Sequence, residues 1–283
     1  MLSVDRVVSD SEWTLVGELT RGLSKGFEDF RIAFVPGPEE AGGGLWFTAT
    51  SPRDWKKPQP YLGRIRGQRL SGAFHLSGLG RKVKNLLPFG APLRTLHVLD
   101  VSGPTVYALR DPAEALRHTE SDVGRHWRRI PLHPAWGVRM PRGLHGGSPP
   151  AHLDGDRWCL LAHTARTARR IRRYTHYYLE IDLGRQEVVF VSPPFRLMGG
   201  DIEFASGAVP DLTLGEIHIS FGLYDRESWL GKADLERLRM GLMGPAVAVH
   251  RNPEQVSADV DGGEILMHPS HASEVAHRRS SSP

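Results

Sequence analysis

Two carboxylates in this sequence have neighbours that suit proton transfer. Asp29 lies between the apolar residues Phe27 and Phe30, and Glu203 stands between an isoleucine and a phenylalanine. Apolar surroundings favour the protonated form of a carboxyl, and an acid is costly to bury unless it is used or paired. We predict that Asp29 is a general acid, with a structural salt bridge to Arg31 as the alternative. For Glu203 three roles stay open: a general base, an acceptor for a substrate hydroxyl, and a structural pair.

The 14 histidines raise the question of a metal site. No H-x-x-x-H pair and no Cys/His pair occurs together with carboxylates at the spacing of metal ligands, so we predict none. The single cysteine, Cys159, stands in an apolar run, where burial keeps a thiol protonated and unreactive. One cysteine also excludes a disulfide within the chain, which fits a reducing compartment.

The regular patterns along the chain are short and strand-like, which predicts an all-β fold. Five segments share one plan, a polar or glycine-rich entry followed by two short apolar strands. Measured at Glu28, Asn85, Gly146, Asp201 and Asn252, these units are spaced by 57, 61, 55 and 51 residues. One four-stranded unit every 40–60 residues, roughly, is typical of a β-propeller. The sequence therefore predicts a five-bladed β-propeller whose inner strands point their polar groups into one central channel.

The two ends of the chain are predicted to share the last blade. Residues 3–19 are strand-like but have no inner strands before them, and the unit at 252–268 is followed by little that could supply outer strands. Pairing these two segments would hide sheet edges that otherwise attract other chains. We expect a single domain over residues 1–268, and a disordered tail at 269–283.

Four short motifs occur in order at the spacing of the blades: Glu28-Asp29-Phe30-Arg31, Lys84-Asn85-Leu86-Leu87-Pro88-Phe89, Gly146-Gly147-Ser148-Pro149-Pro150 and Phe221-Gly222-Leu223-Tyr224-Asp225. This series resembles the motifs of glycoside hydrolase family 130, the five-bladed β-mannoside phosphorylases and hydrolases, and of related propeller domains found with glycosyltransferases. The resemblance covers residues 26–240. It departs from the family where Phe30 replaces a proline, and where Asn252-Pro253 stands near the C-terminus instead of in an opening blade.

The resemblance implies a carbohydrate-active enzyme that cleaves or phosphorolyses a glycosidic bond. Such cleavage needs an acid for the leaving oxygen, and either a base-activated water or a cationic cradle for phosphate. The resemblance places Asp29 at the position of the acid. In the resembling phosphorylases, cations equivalent to Arg31, Lys84 and His97 hold phosphate. Inorganic phosphate would then be a co-substrate, and no other cofactor is expected; a solvated loop is the alternative for Lys84.

Four further residues are predicted to contact a substrate. Tyr174 offers a stacking face for a sugar, with core packing as the alternative. His145 and His176 offer polar contacts, and so does Asp225, for which capping a turn is the alternative. The run 166–173 carries five arginines in eight residues. It is interpreted either as a solvated hairpin or as a lid that attracts an anionic substrate.

Three functions remain in competition. The first is a glycosidase or glycoside phosphorylase, and the second is another reaction on a sugar-bearing small molecule or natural product on the same scaffold. The third is a carbohydrate-binding propeller without catalysis. Asp29 and Glu203 favour the first two functions, whereas Phe30 and the rearranged blade favour the second or third. In each case the partner is a small-molecule sugar or glycoside.

Charge and hydropathy limit the other partners. The formal net charge of +4 is too weak to indicate nucleic-acid binding without a concentrated patch. No apolar stretch of 18 residues occurs, and the first 20 residues lack the pattern of a signal peptide. We therefore expect a cytoplasmic protein with no nucleic-acid partner and no membrane partner, and the oligomeric state stays open.

Overall fold

The structure is a computed structural model that describes residues 3–6, 28–38, 43–51, 59–66, 69–79, 85–90, 95–110, 120–168, 171–224 and 226–242. These residues all fall within one compact unit, Met1–Val249. A second unit, His250–Pro283, lies outside them. The predicted segment 252–268, the predicted tail 269–283 and most of the predicted N-terminal segment 3–19 therefore lie outside the described residues.

The described residues form nineteen strands and two short helices. The strands are β1 (Ser3–Arg6), β2 (Glu28–Val35), β3 (Gly44–Ser51), β4 (Gln59–Arg66), β5 (Arg69–Ser77), β6 (Leu87–Gly90), β7 (Leu96–Asp100), β8 (Thr105–Leu109), β9 (Glu120–Asp122), β10 (Trp127–Pro131), β11 (His133–Pro134), β12 (Leu144–Gly146), β13 (Ala151–His152), β14 (Arg157–Ala168), β15 (Ile171–Asp182), β16 (Glu187–Val191), β17 (Glu203–Asp211), β18 (Glu216–Leu223) and β19 (Glu227–Asp234). The helices are α1 (Val123–His126) and α2 (Leu235–Arg239). Neither helix has the length that crossing a bilayer requires.

The strands pair into four sheets, which we number as blades I to IV along the chain. Blade I has the order β2-β3-β4-β5, with β9 added parallel to β5. Blade II has the order β6-β7-β8-β10. Blade III has the order β12-β14-β15-β16-β11, and β13 also pairs with β14. Blade IV has the order β17-β18-β19-β1.

The predicted all-β propeller class is confirmed, and the first four predicted units each begin a blade. The part of the chain that the structure describes forms four blades and not the predicted five, and the segment 252–268 that was predicted to supply the fifth lies outside these residues. The chain end also pairs differently from the prediction. β1 pairs antiparallel with β19, with Ser3 opposite Lys232, and so covers the outer edge of blade IV itself.

The first strands of the blades meet around a central channel and begin at the same end of it. A Cβ atom on Gly146 in β12 would lie 2.3 Å from the carbonyl oxygen of Asn85, just before β6. One on Gly147 would lie 3.3 Å from the carbonyl oxygen of Ala205 in β17. We call this end the entry face. Strands within a blade alternate in direction, so the β14–β15 hairpin also lies on the entry face, whereas β11 pairs with the start of β16 at the opposite end of that sheet.

Buried apolar side chains form three clusters, each between consecutive blades. Trp46 and Leu96 belong to the cluster between blades I and II, and Phe89 and Leu160 to the cluster between blades II and III. The third cluster joins blades III and IV. Strands inside a blade are covered on both faces, and all five residues of β7 are buried. This explains why such strands appear in the sequence as continuous apolar runs.

The close approach of β12 to the start of blade II predicts the effect of one methyl group. Gly146→Ala places a Cβ atom 2.3 Å from the Asn85 carbonyl oxygen and 2.8 Å from the Leu87 side chain. We expect this overpacking to lower the free energy of unfolding by about 1–3 kcal/mol. Gly103→Ala is the control, because a Cβ there meets nothing within 4 Å. Its effect in urea unfolding should stay within about 0.5 kcal/mol, and equal effects of both variants would contradict the tight blade contact.

Candidate functional site

Asp29 lies in a β-bulge at the entry face. The pairing of β2 with β3 shifts register between Glu28, opposite Thr50, and Arg31, opposite Thr48. Asp29 has a φ of 57°, a left-handed conformation that is uncommon for a residue with a side chain. Bulges redirect side chains next to active sites, and such strained residues cluster there. The backbone thus turns a half-buried carboxylate out of the regular strand at the mouth of the channel.

Arg31 extends from blade I into the centre of the propeller, where it is 2% exposed. Its Nε donates a hydrogen bond to the carbonyl oxygen of Gly147 in blade III, and its Nη1 donates one to that of Phe30 at 2.7 Å. Its Cζ lies 4.4 Å from the ring centroid of Phe204 in blade IV. Its Nη2 finds no acceptor among the described residues. Burial lowers the pKa of Arg31 to about 10 against the opposing effect of Asp29, so the guanidinium stays charged at neutral pH.

Two buried histidines lie opposite each other on β14 and β15. His163 pairs with His176 in the strand register, and their ring centroids are 6.2 Å apart. Burial lowers the pKa of His176 to about 3, with a further contribution from Arg196. The pKa of His163 is held well below its usual value by burial and by neighbouring His176, His145 and Arg31. Both rings are therefore neutral at pH 7. Three of their nitrogens, Nδ1 of His163 and both of His176, have no hydrogen-bond partner among the described residues.

Glu203 is fully buried at the start of β17. Its Oε1 accepts a hydrogen bond from the backbone N–H of Leu197, and its Oε2 accepts one from Met198, both at 2.9 Å. Burial raises the pKa of Glu203, and these two N–H groups oppose the shift. The Nδ1 atom of His176 lies 3.7 Å from Oε1. Of the three roles open for Glu203, this geometry favours the structural one, because both oxygens already bind the backbone.

Aromatic rings connect these polar groups. The ring of His163 lies 5.1 Å from Tyr174 and 5.1 Å from Phe204, centroid to centroid, and His145 lies 5.8 Å away. The guanidinium of Arg172 covers the outer face of Tyr174 at 5.1 Å. We call this set the central cluster; it consists of Asp29, Arg31, His145, His163, Tyr174, His176, Glu203 and Phe204.

The central cluster gathers most of the predicted site residues, but not all. His97 lies in blade II, with its ring 5.2 Å from Phe89 and its Nδ1 2.9 Å from the carbonyl oxygen of Thr95. Thr95 precedes β7, which begins at the end of the channel opposite the entry face, so His97 shares no described contact with Arg31. Burial lowers the pKa of His97. Lys84 and Asp225 lie outside the described residues.

Two members of the cluster, His163 and Phe204, were not among the predicted site residues. A signal for His163 exists in the sequence, because a hairpin with its tip at 169–170 puts residue 163 opposite residue 176. Phe204 gave no such signal, since its contact with Arg31 depends on two blades meeting. In the part of the chain that the structure describes, no group of three His, Cys, Asp or Glu side chains is placed to hold a metal ion.

The channel contains a cavity of about 560 Å³, a size that suits a small-molecule ligand. Each blade contributes apolar wall residues, among them Phe34, Phe89, Pro150 and Val209. Phe30, next to Asp29, lines the same cavity. The fully buried members of the central cluster do not line it. Asp29 does not line it either, because most of the lining residues lie further along the inner strands, toward the end of the channel opposite the entry face. Asp29 is half-buried and Glu203 is fully buried, so Asp29 is the more exposed of the two carboxylates.

The fold resembles that of a β-1,2-mannobiose phosphorylase from Listeria innocua, with a TM-score of 0.50 and 15% sequence identity over 77% of this chain. The protein spans only 61% of that chain. A mannose phosphorylase from Leishmania mexicana in complex with phosphate ion matches with a TM-score of 0.47 and 13% identity, over 78% of this chain and 72% of the other. A GDP-Man-dependent mannosyltransferase from Leishmania mexicana matches with a TM-score of 0.46 and 13% identity, over 72% and 69%. No protein-family model and no curated protein matches the sequence. The structural resemblance that the motifs predicted is confirmed, at the level of the fold.

The low pKa of His176 predicts how stability depends on pH. Between pH 6.5 and about 3 the unfolded chain binds a proton at this residue that the folded protein does not. Lowering the pH from 7 to 5 therefore favours unfolding, by about 2 kcal/mol for such a histidine. In His176→Gln, the loss of unfolding free energy over this interval should be smaller by about that amount. The raised pKa of Glu203 acts in the opposite direction and is present in both proteins.

Urea unfolding at several pH values measures this effect. The exposed His218→Gln is the matched control for the change of residue type, and we expect it to alter the pH dependence of unfolding less than His176→Gln does. If His176→Gln showed the wild-type pH dependence as well, His176 would not be a neutral buried histidine.

Proposed function

We propose that this protein is a carbohydrate-active enzyme that cleaves a glycosidic bond, with Asp29 as the proton donor. The observation that carries the proposal is the bulge that presents Asp29, in a left-handed conformation and half-buried, at the entry face. Protonation of the leaving oxygen is what a glycosidic bond needs to break at neutral pH. A half-buried carboxyl next to Phe30, which lines a cavity of about 560 Å³, suits that step.

Accessibility separates Asp29 from the other carboxylate. Both oxygens of Glu203 accept backbone hydrogen bonds, and the residue is fully buried. We assign to Glu203 the positioning of the segment that contains Leu197 and Met198. Phe195, just before this segment, places its ring 6.0 Å from that of His176, centroid to centroid. The base or nucleophile of the reaction is then a water or an anion from solvent.

Phosphate is the second candidate for the attacking group, and one atom favours it. Nη2 of Arg31 is a buried donor with no acceptor among the described residues. A buried donor without an acceptor is costly in free energy unless a ligand accepts its hydrogen bond. Arginine binds phosphate in a planar, bidentate fashion. The two solved phosphorylases of similar fold act on mannose-containing compounds by their names. We therefore choose β-1,2-mannobiose, with and without inorganic phosphate, as the first substrate to assay.

We keep a cytoplasmic location as part of the proposal. Cys159 is the single cysteine of the chain, it is buried, and burial raises the pKa of its thiol to about 12. Such a thiol is inert to oxidants and metals at neutral pH. The protein therefore has no disulfide within the chain that would need an oxidising compartment to form.

Asp29→Asn tests the proton donor. The substitution keeps the size of the side chain but removes the proton that must be transferred. We expect the rate to fall roughly 10²–10⁴-fold, about 3–5 kcal/mol of barrier. The loss should be smallest for aryl glycosides whose leaving group needs no protonation. Turnover of β-1,2-mannobiose and of nitrophenyl glycosides measures both expectations.

Asp156→Asn is the matched control for this experiment. It makes the same substitution at an exposed position in the turn before β14, at the end of the channel opposite the entry face. This variant should keep the wild-type rate. Near-full turnover by Asp29→Asn, with the fold intact by circular dichroism, would exclude the proposed mechanism.

Arg31→Lys tests whether phosphate is the attacking group. Lysine keeps the positive charge but loses the planar fork, so the KM for phosphate should rise by about tenfold or more while the protein stays folded. Release of mannose 1-phosphate, as opposed to free mannose alone, identifies phosphorolysis. If cleavage proceeds at the same rate without phosphate, the reaction is hydrolysis and Arg31 serves the fold.

A further inference from the structure

The walls of the channel cavity offer few polar groups to a ligand. Among the described residues that line it, none is Asp, Glu, Lys or Arg. The two serines in the wall, Ser206 and Ser220, already pair with each other, with 3.1 Å between their Oγ atoms. The Nε2 atom of His152 lies 3.0 Å from the carbonyl oxygen of Gly155. A sugar enclosed here would leave most of its hydroxyls without partners, which is costly in free energy.

Several apolar side chains in these walls are exposed to solvent. Phe34 and Val209 each have 62% of their surface exposed, and Ile32 has 50%. Ile32 and Phe34 lie on the same side of β2, because side chains alternate along a strand. Blades II and III add the rings of Phe89 and Trp158, which pack edge to face with 5.0 Å between their centroids. Exposed apolar side chains gathered in a concave wall favour a ligand that covers them.

The backbone around the cavity is closely packed and constrained. A Cβ atom on Gly90 would lie 2.8 Å from the carbonyl oxygen of Phe34, so blades I and II are in close contact here. Blade III contributes the pair Pro149-Pro150, whose rings fix the φ angles. In blade IV the pairing of β17 with β18 shifts register between Ala205 and Gly207, and such bulges are common beside binding sites. A cavity that is formed before its ligand arrives loses little free energy to ordering on binding.

The cavity lies beyond the contacts of Arg31, as seen from the entry face. Arg31, Gly147 and Phe204 meet at the centre of the propeller. In the blades of these three residues, the described lining residues of the inner segments come later along the chain, within 32–36, 149–152 and 206–209. Phe30 is the exception, and it joins the cavity to Asp29 along the chain. A group in the cavity is therefore apart from the buried histidines of the central cluster.

We propose that this cavity is a binding site for an uncharged aryl group or a short alkyl chain. An apolar cavity of about 150 Å³ is enough for benzene, so a volume of about 560 Å³ has room for either group. Two sources supply this chemistry: the apolar part of a glycoside whose sugar lies toward Asp29, and a separate small molecule. The first source rests on the proposed function, and the second does not. An apolar group in the cavity is common to both.

Binding of n-alkyl alcohols to the full chain tests the site. Hexanol should bind about 15-fold more tightly than butanol, because each CH₂ group that leaves water contributes about fourfold in affinity. Calorimetric titration measures both affinities. Similar affinities for the two alcohols, or no binding of hexanol, would overturn the proposal. Mannose should not displace hexanol, since displacement would identify a polar ligand and overturn the proposal as well.

Substitutions in the wall locate the bound alcohol. Phe34→Ala should weaken hexanol binding about fivefold, which corresponds to roughly 40 Å² of the ring covered by the ligand. Val209→Asp should weaken it about tenfold or more, because the ligand would then cover a carboxylate. Leu212→Ala and Leu212→Asp are the matched controls, because Leu212 is exposed but does not line the cavity. Both controls should bind hexanol as the wild type does, and losses equal to those of the wall variants would contradict the site.

Alkyl glycosides separate the two sources. If the apolar group belongs to the substrate, hexyl β-mannoside should have a KM about tenfold or more below that of methyl β-mannoside, and hexanol should compete with it. If the group is a separate molecule, hexanol binds while the KM values for the two glycosides stay equal. The absence of any cleavage would count against the proposed function alone, because hexanol binding is measured without turnover.

Discussion

The buried guanidinium of Arg31 links blade I to blades III and IV at the centre of the propeller. A buried cation must find acceptors, and this one takes them from several blades: the Gly147 carbonyl oxygen in blade III, the Phe204 ring in blade IV and the Phe30 carbonyl oxygen in its own. Gly147 must lack a side chain, since a Cβ would lie 2.7 Å from the carbonyl oxygen of Leu161. The contacts of Arg31 are complete only when the blades are assembled, so fold and site form together.

The other buried titratable groups around this cation are either uncharged or held by hydrogen bonds. His163 and His176 are neutral because burial and nearby positive charge lower their pKa. Glu203 is bound at both oxygens by backbone N–H groups. Asp29 lies where the bulge in β2 displaces it from the regular strand, and it is half-buried whereas Glu203 is fully buried. The arrangement therefore combines an interior of buried, neutral histidines with the partly exposed carboxylate of Asp29.

Several parts of this arrangement could be predicted from local patterns. The starts of the four described blades were predicted because each first strand follows a polar or glycine-rich entry. Asp29, Arg31, His145, Tyr174, His176 and Glu203 were predicted for a common site, and they lie together. His97 was grouped with them because of its residue type. It lies instead near the start of β7, at the end of the channel opposite the entry face, with its Nδ1 close to the Thr95 carbonyl oxygen. The fifth blade was inferred from a spacing of 51 residues, and spacing alone says nothing about pairing.

The all-β class, the order of the blades and the positions of the candidate side chains along each strand can be inferred from local patterns, because they follow from short-range alternation and turn residues. The three-dimensional structure was needed to show which strand covers the edge of blade IV, where β1 pairs with β19. It also decided that Glu203 binds backbone and that Phe204 covers Arg31. The pairing of β1 with β19 and the contact of Phe204 with Arg31 join residues more than a hundred positions apart, and no local pattern encodes them. The partners of Glu203 are only five and six positions away, but they lie in an irregular segment before β17 that has no sequence pattern. They arise because burial forces each polar group to find whatever partner the neighbouring blade presents.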